Sequence, residues 1–370
     1  LSDYSVNQFV FCVYNPATAF FVDFITILPE PESCKREIVT IFMCKKNKTG
    51  AMNKVFYRII WACVFLLPLC TQAQQDPQFS QYMFNGLFLN PATSGVEGLT
   101  RFQLIARSQW TGYQGTFDQD GGLNTQIVSL NAPILRWKSG AGVYFVHDQL
   151  GPYTNLQTQV SYAYHFPVKN GKLSLGISGG FFSQTIDFNK YRFLEPGDPL
   201  NIEKRESQIR PDLALGIHYR AEKYYLGIGA NHLLKPKFNF GLSTPLTNEL
   251  ATNLYFTGGY SYDLTYQIVL TPSILFKTDL NTISFEPSAI ATYNQKFWGG
   301  LSFRQGDAAI ILVGFNAMKD NALRLGYAFD YTVVAQAAKR PTSHEFMLTY
   351  TLPPPTVSKK SVTRTPRFRH

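Results

Sequence analysis

The sequence predicts an all-β fold: a transmembrane outer-membrane β-barrel of about 14 antiparallel strands, preceded by a cleaved signal peptide. Three observations carry that expectation. Only 16% of the 370 residues are charged while 15% are aromatic, with 30 Phe and 21 Tyr against 4 Trp; soluble domains hold roughly 25% charged residues. Mean hydropathy is -0.10, too low for a bundle of apolar helices. From about residue 100 onward, apolar and polar side chains alternate with period 2, the signature of strands with two different faces. The same figures exclude a long coiled coil, an acidic disordered chain and a disulfide-dense mini-domain.

The chain opens with residues 1–51, read as an upstream extension outside the mature protein. Residues 52–73 have the layout of a secretory signal: Lys54 and Arg58, then the apolar run Ile59–Leu69, then Thr71-Gln72-Ala73. Cleavage is expected between Ala73 and Gln74. The apolar run has 11 residues, short of the ~20 that a spanning helix needs. Leu69 before Cys70 does not suit lipidation. All five cysteines lie at or before Cys70, so the remainder has neither disulfides nor a thiolate metal site.

Residues 74–99 form a polar, turn-rich N-terminal segment, a candidate filler of the barrel lumen. The barrel itself is assigned to 100–352. Leu156, Val160, Tyr162, Tyr164 and Phe166 oppose Gln157, Gln159, Ser161 and His165. Leu213, Leu215, Ile217 and Tyr219 oppose Ala214, Gly216, His218 and Arg220. Leu323 to Phe329 and Phe346 to Leu352 repeat the pattern. The strands are placed at 100–109, 123–132, 139–148, 154–166, 172–185, 209–220, 223–233, 251–263, 266–277, 282–293, 296–304, 308–317, 322–330 and 343–352. Every second connection is short, several with turn residues such as Asn170-Gly171 and Asn294-Gln295. The others include long ones at 110–122, 186–208, 234–250 and 331–342. Short turns at one end and longer loops at the other fit an outer-membrane barrel, and an even count puts both termini at the short-turn, periplasmic side. A soluble sandwich also alternates, but its strands run to ~5–6 residues. Pro272 is a local misfit in its strand. The inward glycines, Gly176, Gly180, Gly216, Gly227, Gly229, Gly259, Gly300 and Gly326, either make room for a lumen or its filler, or relieve crowding on a curved sheet.

Residues 353–370 form a basic, Pro-rich tail, placed in the periplasm. Seven of the 34 basic and five of the 25 acidic residues precede Gln74, leaving a balance of +7. Five positives, Lys359, Lys360, Arg364, Arg367 and Arg369, sit in the tail, so the body is nearly neutral. The excess is thus no basic patch on a fold, and a nucleic-acid partner is not expected. The tail reads either as a solvated end or as an electrostatic docking element.

Enzyme signatures are missing: there is no H-E-x-x-H, P-loop or C-x-x-C, and the G-x-S-x-G pattern occurs only at 176–180, inside the strand placed at 172–185 and not at the strand-to-helix turn that a nucleophile elbow needs. No catalytic residue, cofactor or metal site is expected. A barrel-embedded serine hydrolase would need a Ser–His pair meeting across strands.

The most specific stretch runs from Gln75 to Asn85 (QDPQFSQYMFN), followed by Asn90-Pro91-Ala92. It resembles the opening of the PorP/SprF family, outer-membrane proteins of the type IX secretion system in Bacteroidetes. Further resemblances follow in order: Arg107-Ser108-Gln109-Trp110 with Gly112, Tyr162-Ala163-Tyr164, Pro211-Asp212, Gly227 to Leu233, Gly326 to Asp330, and Ser343-His344-Glu345 with Met347-Leu348. Together they cover 75–352. The 18-residue tail and Phe329, where Tyr is usual, depart from the pattern. The resemblance implies a non-enzymatic part in exporting or anchoring a large secreted surface protein, such as an adhesin tied to gliding. The partners implied are that cognate protein, other secretion components and outer-membrane lipid. Gln81, Tyr82, Asn90 and Pro91 are expected to fix the N-terminal segment. Arg107, Gln109 and Trp110 are expected at the outer end of the first strand, with Trp110 an interfacial anchor or a substrate contact. Pro211, Asp212, His344 and Glu345 complete the structural or partner-binding candidates. The rival reading is a channel or transporter for small or hydrophobic solutes.

Overall fold

The computed structural model of the chain describes residues 76–112, 122–191, 204–240, 246–334 and 340–353. The upstream extension, the signal segment with its Ala73–Gln74 junction and nearly all of the tail lie outside these.

Among the described residues seventeen strands follow in order. The first seven are β1 (Arg101–Gln109), β2 (Leu123–Ile134), β3 (Ser139–Leu150), β4 (Tyr153–Val168), β5 (Gly171–Asp187), β6 (Arg205–Ala221) and β7 (Tyr224–Asn231). A separate hairpin comprises β8 (Lys237–Phe240) and β9 (Leu246–Glu249). Then come β10 (Asn253–Tyr260), β11 (Tyr262–Asp263), β12 (Ile268–Thr278), β13 (Ile283–Tyr293), β14 (Phe297–Arg304), β15 (Ala308–Ala317), β16 (Leu323–Thr332) and β17 (Thr342–Thr351). Each barrel strand pairs antiparallel with its neighbours, β7 with β10, and β1 with β17, so the sheet closes. Counting β10 and β11 as one stave, the barrel has 14. No helix among the described residues is long and apolar enough to cross a membrane.

The interruption between β10 and β11 has a chemical cause. Gly259 pairs with Ser273 and Tyr262 with Leu270, one continuous register broken opposite Pro272 and Thr271. Pro272 has no N–H to give this neighbour, while on its other side it stays in register with Ala289. Other strand prolines sit the same way. Pro287 pairs with Ile274, but the β13–β14 ladder begins only at Ser288. Pro211 pairs with Phe181, whereas the β6–β7 ladder starts at Leu215.

The alternation sets the two faces. Leu215, Ile217, Val313, Phe346 and Leu301 stand exposed on the outside, and Ala214, His218, Gln159, Ala328 and Glu345 are buried inside. Asn294 and Gln295 both take positive φ in the three-residue β13–β14 turn, where the Lys296 N–H closes back on the Tyr293 carbonyl at 2.9 Å. The sequence reading missed β8 and β9 inside its 234–250 loop, because four-residue strands leave too short a pattern. The hairpin buries Phe238 and Phe240 against Phe182, Ile186 and Phe188 at the long-loop end.

The N-terminal segment runs through the lumen as a chain of single turns: Tyr82–Phe84, Gly86–Leu89 and Pro91–Thr93. Its Phe79, Tyr82, Leu87, Phe88 and Leu89 join inward-facing Ile105, Tyr144, Tyr255, Ile290, Trp298 and Leu312 in the main core. Asn90 and the Pro91–Ala92 turn press against Gly176, Gly216 and Gly229 so closely that no Cβ could be added there. Gly227 and Gly326 also abut the segment, whereas Gly180, Gly259 and Gly300 face neighbouring wall residues. Both readings of the glycines therefore hold, at different positions. The strand ends Arg101 and Thr351 lie together at the short-turn end, but Asp76 lies beside Lys277 and His232 at the opposite end. Strand parity places only the strand ends; a segment doubling back through the lumen escapes it.

Candidate functional site

Two buried polar clusters hold the N-terminal segment, both in the long-loop half of the lumen. The first gathers charges from five strands, since the inward phase of each strand delivers one side chain. Arg107 of β1 binds Asp330 of β16 at 2.7 Å and Glu345 of β17 at 3.3 Å. Arg304 of β14 binds Glu286 of β13 at 2.7 Å and Asp330 at 3.3 Å. The segment enters this lattice through Ser80, whose hydroxyl accepts from Arg107 (2.6 Å) and Arg304 (3.1 Å) and donates to Asp330 (2.7 Å). Glu345 accepts the backbone N–H groups of Ser80 (2.7 Å) and Gln81 (2.8 Å). Tyr82 donates its hydroxyl to the Glu286 carbonyl at 3.1 Å and accepts from Ser288 at 3.0 Å. Arg107 and Glu345 are each at most 1% exposed at their side chains, so these pairs are desolvated and gain their strength from the several charge-assisted hydrogen bonds they share.

The second cluster centres on His232, just beyond β7. Its Nε2 lies 2.8 Å from Asp76 and its Nδ1 2.9 Å from Asp212 of β6. Burial disfavours the imidazolium, but the two carboxylates outweigh it and push the His232 pKa up to about 10. Burial likewise opposes ionisation of Asp76, yet His232 and Lys277 hold its carboxyl below the usual range. Tyr255 donates to Asp76 at 2.5 Å, Lys277 to the Asp76 carbonyl at 3.0 Å, and Gln159 to Asp212 at 2.7 Å.

A neutral contact fixes the segment's middle. Asn90 donates to the carbonyls of Ile217 (2.9 Å) and Ile228 (3.2 Å) and caps the next turn by accepting from Ala92 N–H at 2.9 Å. Pro91, buried, stands at the first position of that turn, where its absent N–H is no loss.

Of the residues singled out from sequence, Gln81, Tyr82, Arg107 and Glu345 meet in the first cluster, Asp212 belongs to the second, and Asn90 with Pro91 forms the middle contact. Gln109 and Trp110 sit half-buried at the end of β1, Trp110 with φ +48° and its backbone N–H donating to the Ser343 hydroxyl at 3.0 Å. Pro211 is exposed on the outer face, and half-buried His344 pairs with Tyr327 at 2.7 Å. The sequence reading missed Asp76, Ser80, His232, Lys277, Glu286, Arg304 and Asp330 as site residues. The signal was available: Lys277, Glu286, Arg304 and Asp330 are charges at inward positions of otherwise apolar-alternating strands.

A serine–histidine pair does occur, His165 with Ser174 at 2.7 Å across β4 and β5. Ser174 is fully buried, and among the described residues no carboxylate meets the other ring nitrogen. The arrangement anchors strands and gives a substrate no approach. Below the segment, toward the short-turn end, a cavity of about 400 Å³ remains, bounded by Trp298, His218, Arg101, Arg220 and Arg324.

A closed antiparallel barrel with an apolar exterior and a buried ionic lattice inside defines an outer-membrane barrel protein. Residues 71–350 match the family described as type IX secretion system membrane protein PorP/SprF, and the chain belongs to that family. No curated protein matches the sequence. Among solved structures, the chain is similar to the Ralstonia pickettii toluene transporter TbuX, with 12% identity over 72% of this chain and 92% of that one and a TM-score of 0.46. It is also similar to the Pseudomonas putida toluene transporter TodX (12% identity, 72% and 92%, TM-score 0.41) and to the Acinetobacter baumannii outer membrane protein Omp33 (10% identity, 70% and 100%, TM-score 0.38).

Proposed function

We propose that this type IX secretion membrane protein is a plugged, non-enzymatic barrel that assists export or surface anchoring of a large secreted protein, with residues 76–99 as a resident plug. The observation that carries the reading is the attachment of that segment to the wall by buried ion pairs, backbone hydrogen bonds and an aromatic core. A mobile gate would leave such charges unpaired on opening, at several kcal/mol each. With the lumen occupied, partner contact falls to the loops at the long-loop end, which we place outside the cell, leaving the short turns and the basic tail in the periplasm. The connection between β5 and β6, with both charge signs, is the proposed contact for the secreted protein.

Two experiments test this. The purified protein in a planar bilayer is expected to carry no steady current, and deletion of 77–96 to open one. A large current through the intact protein would favour the solute-channel reading instead. Deleting 191–204, which leaves β5 and β6 whole, is expected to abolish display of the cognate surface protein; unchanged display with the barrel inserted would refute the loop assignment.

A further inference from the structure

The cavity at the short-turn end has an electrostatic character that the plug does not use. Three arginines border it: Arg101 at the start of β1, Arg220 at the end of β6 and Arg324 at the start of β16. One carboxylate answers them. Glu97 pairs with Arg101 at 2.5 Å and Arg220 at 3.0 Å. Arg324 donates to Asn316 at 3.1 Å and lies 4.8 Å over the Phe84 ring, but among the described residues it makes no ion pair. Two positive charges are therefore unanswered at the cavity.

A second observation is independent of these charges. His218 borders the same cavity, is only 4% exposed, and neither ring nitrogen has a hydrogen-bond partner among the described residues. Trp298, 5% exposed, borders it too, and its indole N–H has no partner among the described residues. Buried donors normally find acceptors, and these stand beside unanswered arginines. A group bringing acceptor oxygens and negative charge would satisfy both.

The surroundings decide the size of that group. The rim of short turns adds Arg136, Lys138, Lys169, Lys172, Lys223, Lys296 and Lys319 against Glu222, Asp263 and Asp320. The excess positive charge spreads well beyond the cavity, farther than a small anion could reach. The wall also separates the cavity from lipid headgroups of the surrounding membrane. We infer that the short-turn mouth is a docking site for an acidic peptide segment of a water-borne partner, with its carboxylates entering the cavity to meet Arg220, Arg324 and His218. Guanidinium forks suit carboxylates in two-point contacts. The inference is independent of the secretion reading.

The test measures binding of a hexaglutamate peptide to the full-length protein in nanodiscs, with hexaglutamine and inorganic phosphate as comparisons. Saturable binding of hexaglutamate is expected, weakened about tenfold or more by R220Q/R324Q together, in line with losing two charge-assisted contacts. Glu97→Gln is expected to tighten binding, which keeps the test alive if the double variant fails to insert. Hexaglutamate binding no tighter than hexaglutamine, indifference to both variants, or phosphate binding as tightly as the peptide would each overturn the proposal.

Discussion

Arg107 shows how much one inward side chain can hold together. It touches Ser80, Asp330 and Glu345 at once, so Arg107→Ala leaves two buried carboxylates short of a partner. Breaking a buried pair in this way costs about 3–5 kcal/mol. The variant is expected to lose its compact, unheated electrophoretic form at a lower temperature than wild type; an unchanged transition would mean that Ser80 and Arg304 carry the lattice alone. His232 gives a pH signature. Its folded pKa of about 10 lies above the ~6.5 of a free imidazole, so its contribution is complete below pH 6.5 and is lost as pH rises toward 10. Asp76 is shifted downward, so its contribution is present above the ordinary carboxylate range and fades as pH falls below it. Urea midpoints of the wild type should decline from pH 6.5 to 10, and His232→Gln should flatten that decline. The period-2 rule explains which motif residues reached the lumen. In Pro211-Asp212 and His344-Glu345 only the second residue faces inward, because adjacent strand residues point to opposite faces. That much was readable beforehand; the partners Asp76 and His232, 156 positions apart, were not, since nothing local announces a contact across the lumen.

At the scale of elements, the strands were legible because each must satisfy lipid on one side and packed protein on the other. What alternation could not show was where ladders stop. The prolines supplied that signal, and Pro272, an anomaly in the sequence, marks a break that splits one stave into β10 and β11. The lumen segment was harder to read, because its conformation of short turns is dictated by the wall around it. Gly176 and Gly229 are the wall's side of that fit, lying against Ala92 and the Leu89 carbonyl. A leucine at either position points into the segment around Asn90, while neither glycine takes a positive φ, so the strand backbone itself can carry a side chain there. Gly176→Leu is therefore expected to displace the segment without preventing barrel insertion, and bilayer recordings should show a current absent from wild type. A silent bilayer together with normal insertion would mean that the segment shifts without opening a path.

The whole molecule depends on the seam between its first and last strands. Unsatisfied backbone groups are excluded from hydrocarbon, so β1 and β17 must meet, and they do so over eight residue pairs from Arg101–Thr351 to Ser108–His344. Hydrogen bonds extend the seam at both ends, from Leu352 N–H to the Thr100 carbonyl and from Thr111 N–H to the Thr342 carbonyl, each at 2.8 Å. Leu104 and Leu348 face each other across this seam on the outer surface. Directly opposed Cβ atoms lie ~4.5–5.5 Å apart, near enough for a disulfide after a small adjustment. The region beyond Cys70 has no cysteine, so a mature protein carrying L104C and L348C forms one bond or none. Oxidation should tie the strands into a loop spanning nearly the whole barrel, giving a boiled chain that migrates faster than its reduced form. It should also stabilise the folded state by roughly 5 kcal/mol through restriction of the unfolded chain, measured as a higher urea midpoint. Leu104 paired instead with a cysteine at Met347, which points inward, should not cross-link. Reversal of these two outcomes would shift the register by one residue and turn every side chain of β17 to the wrong face, taking Glu345 away from Arg107 and the lumen segment with it.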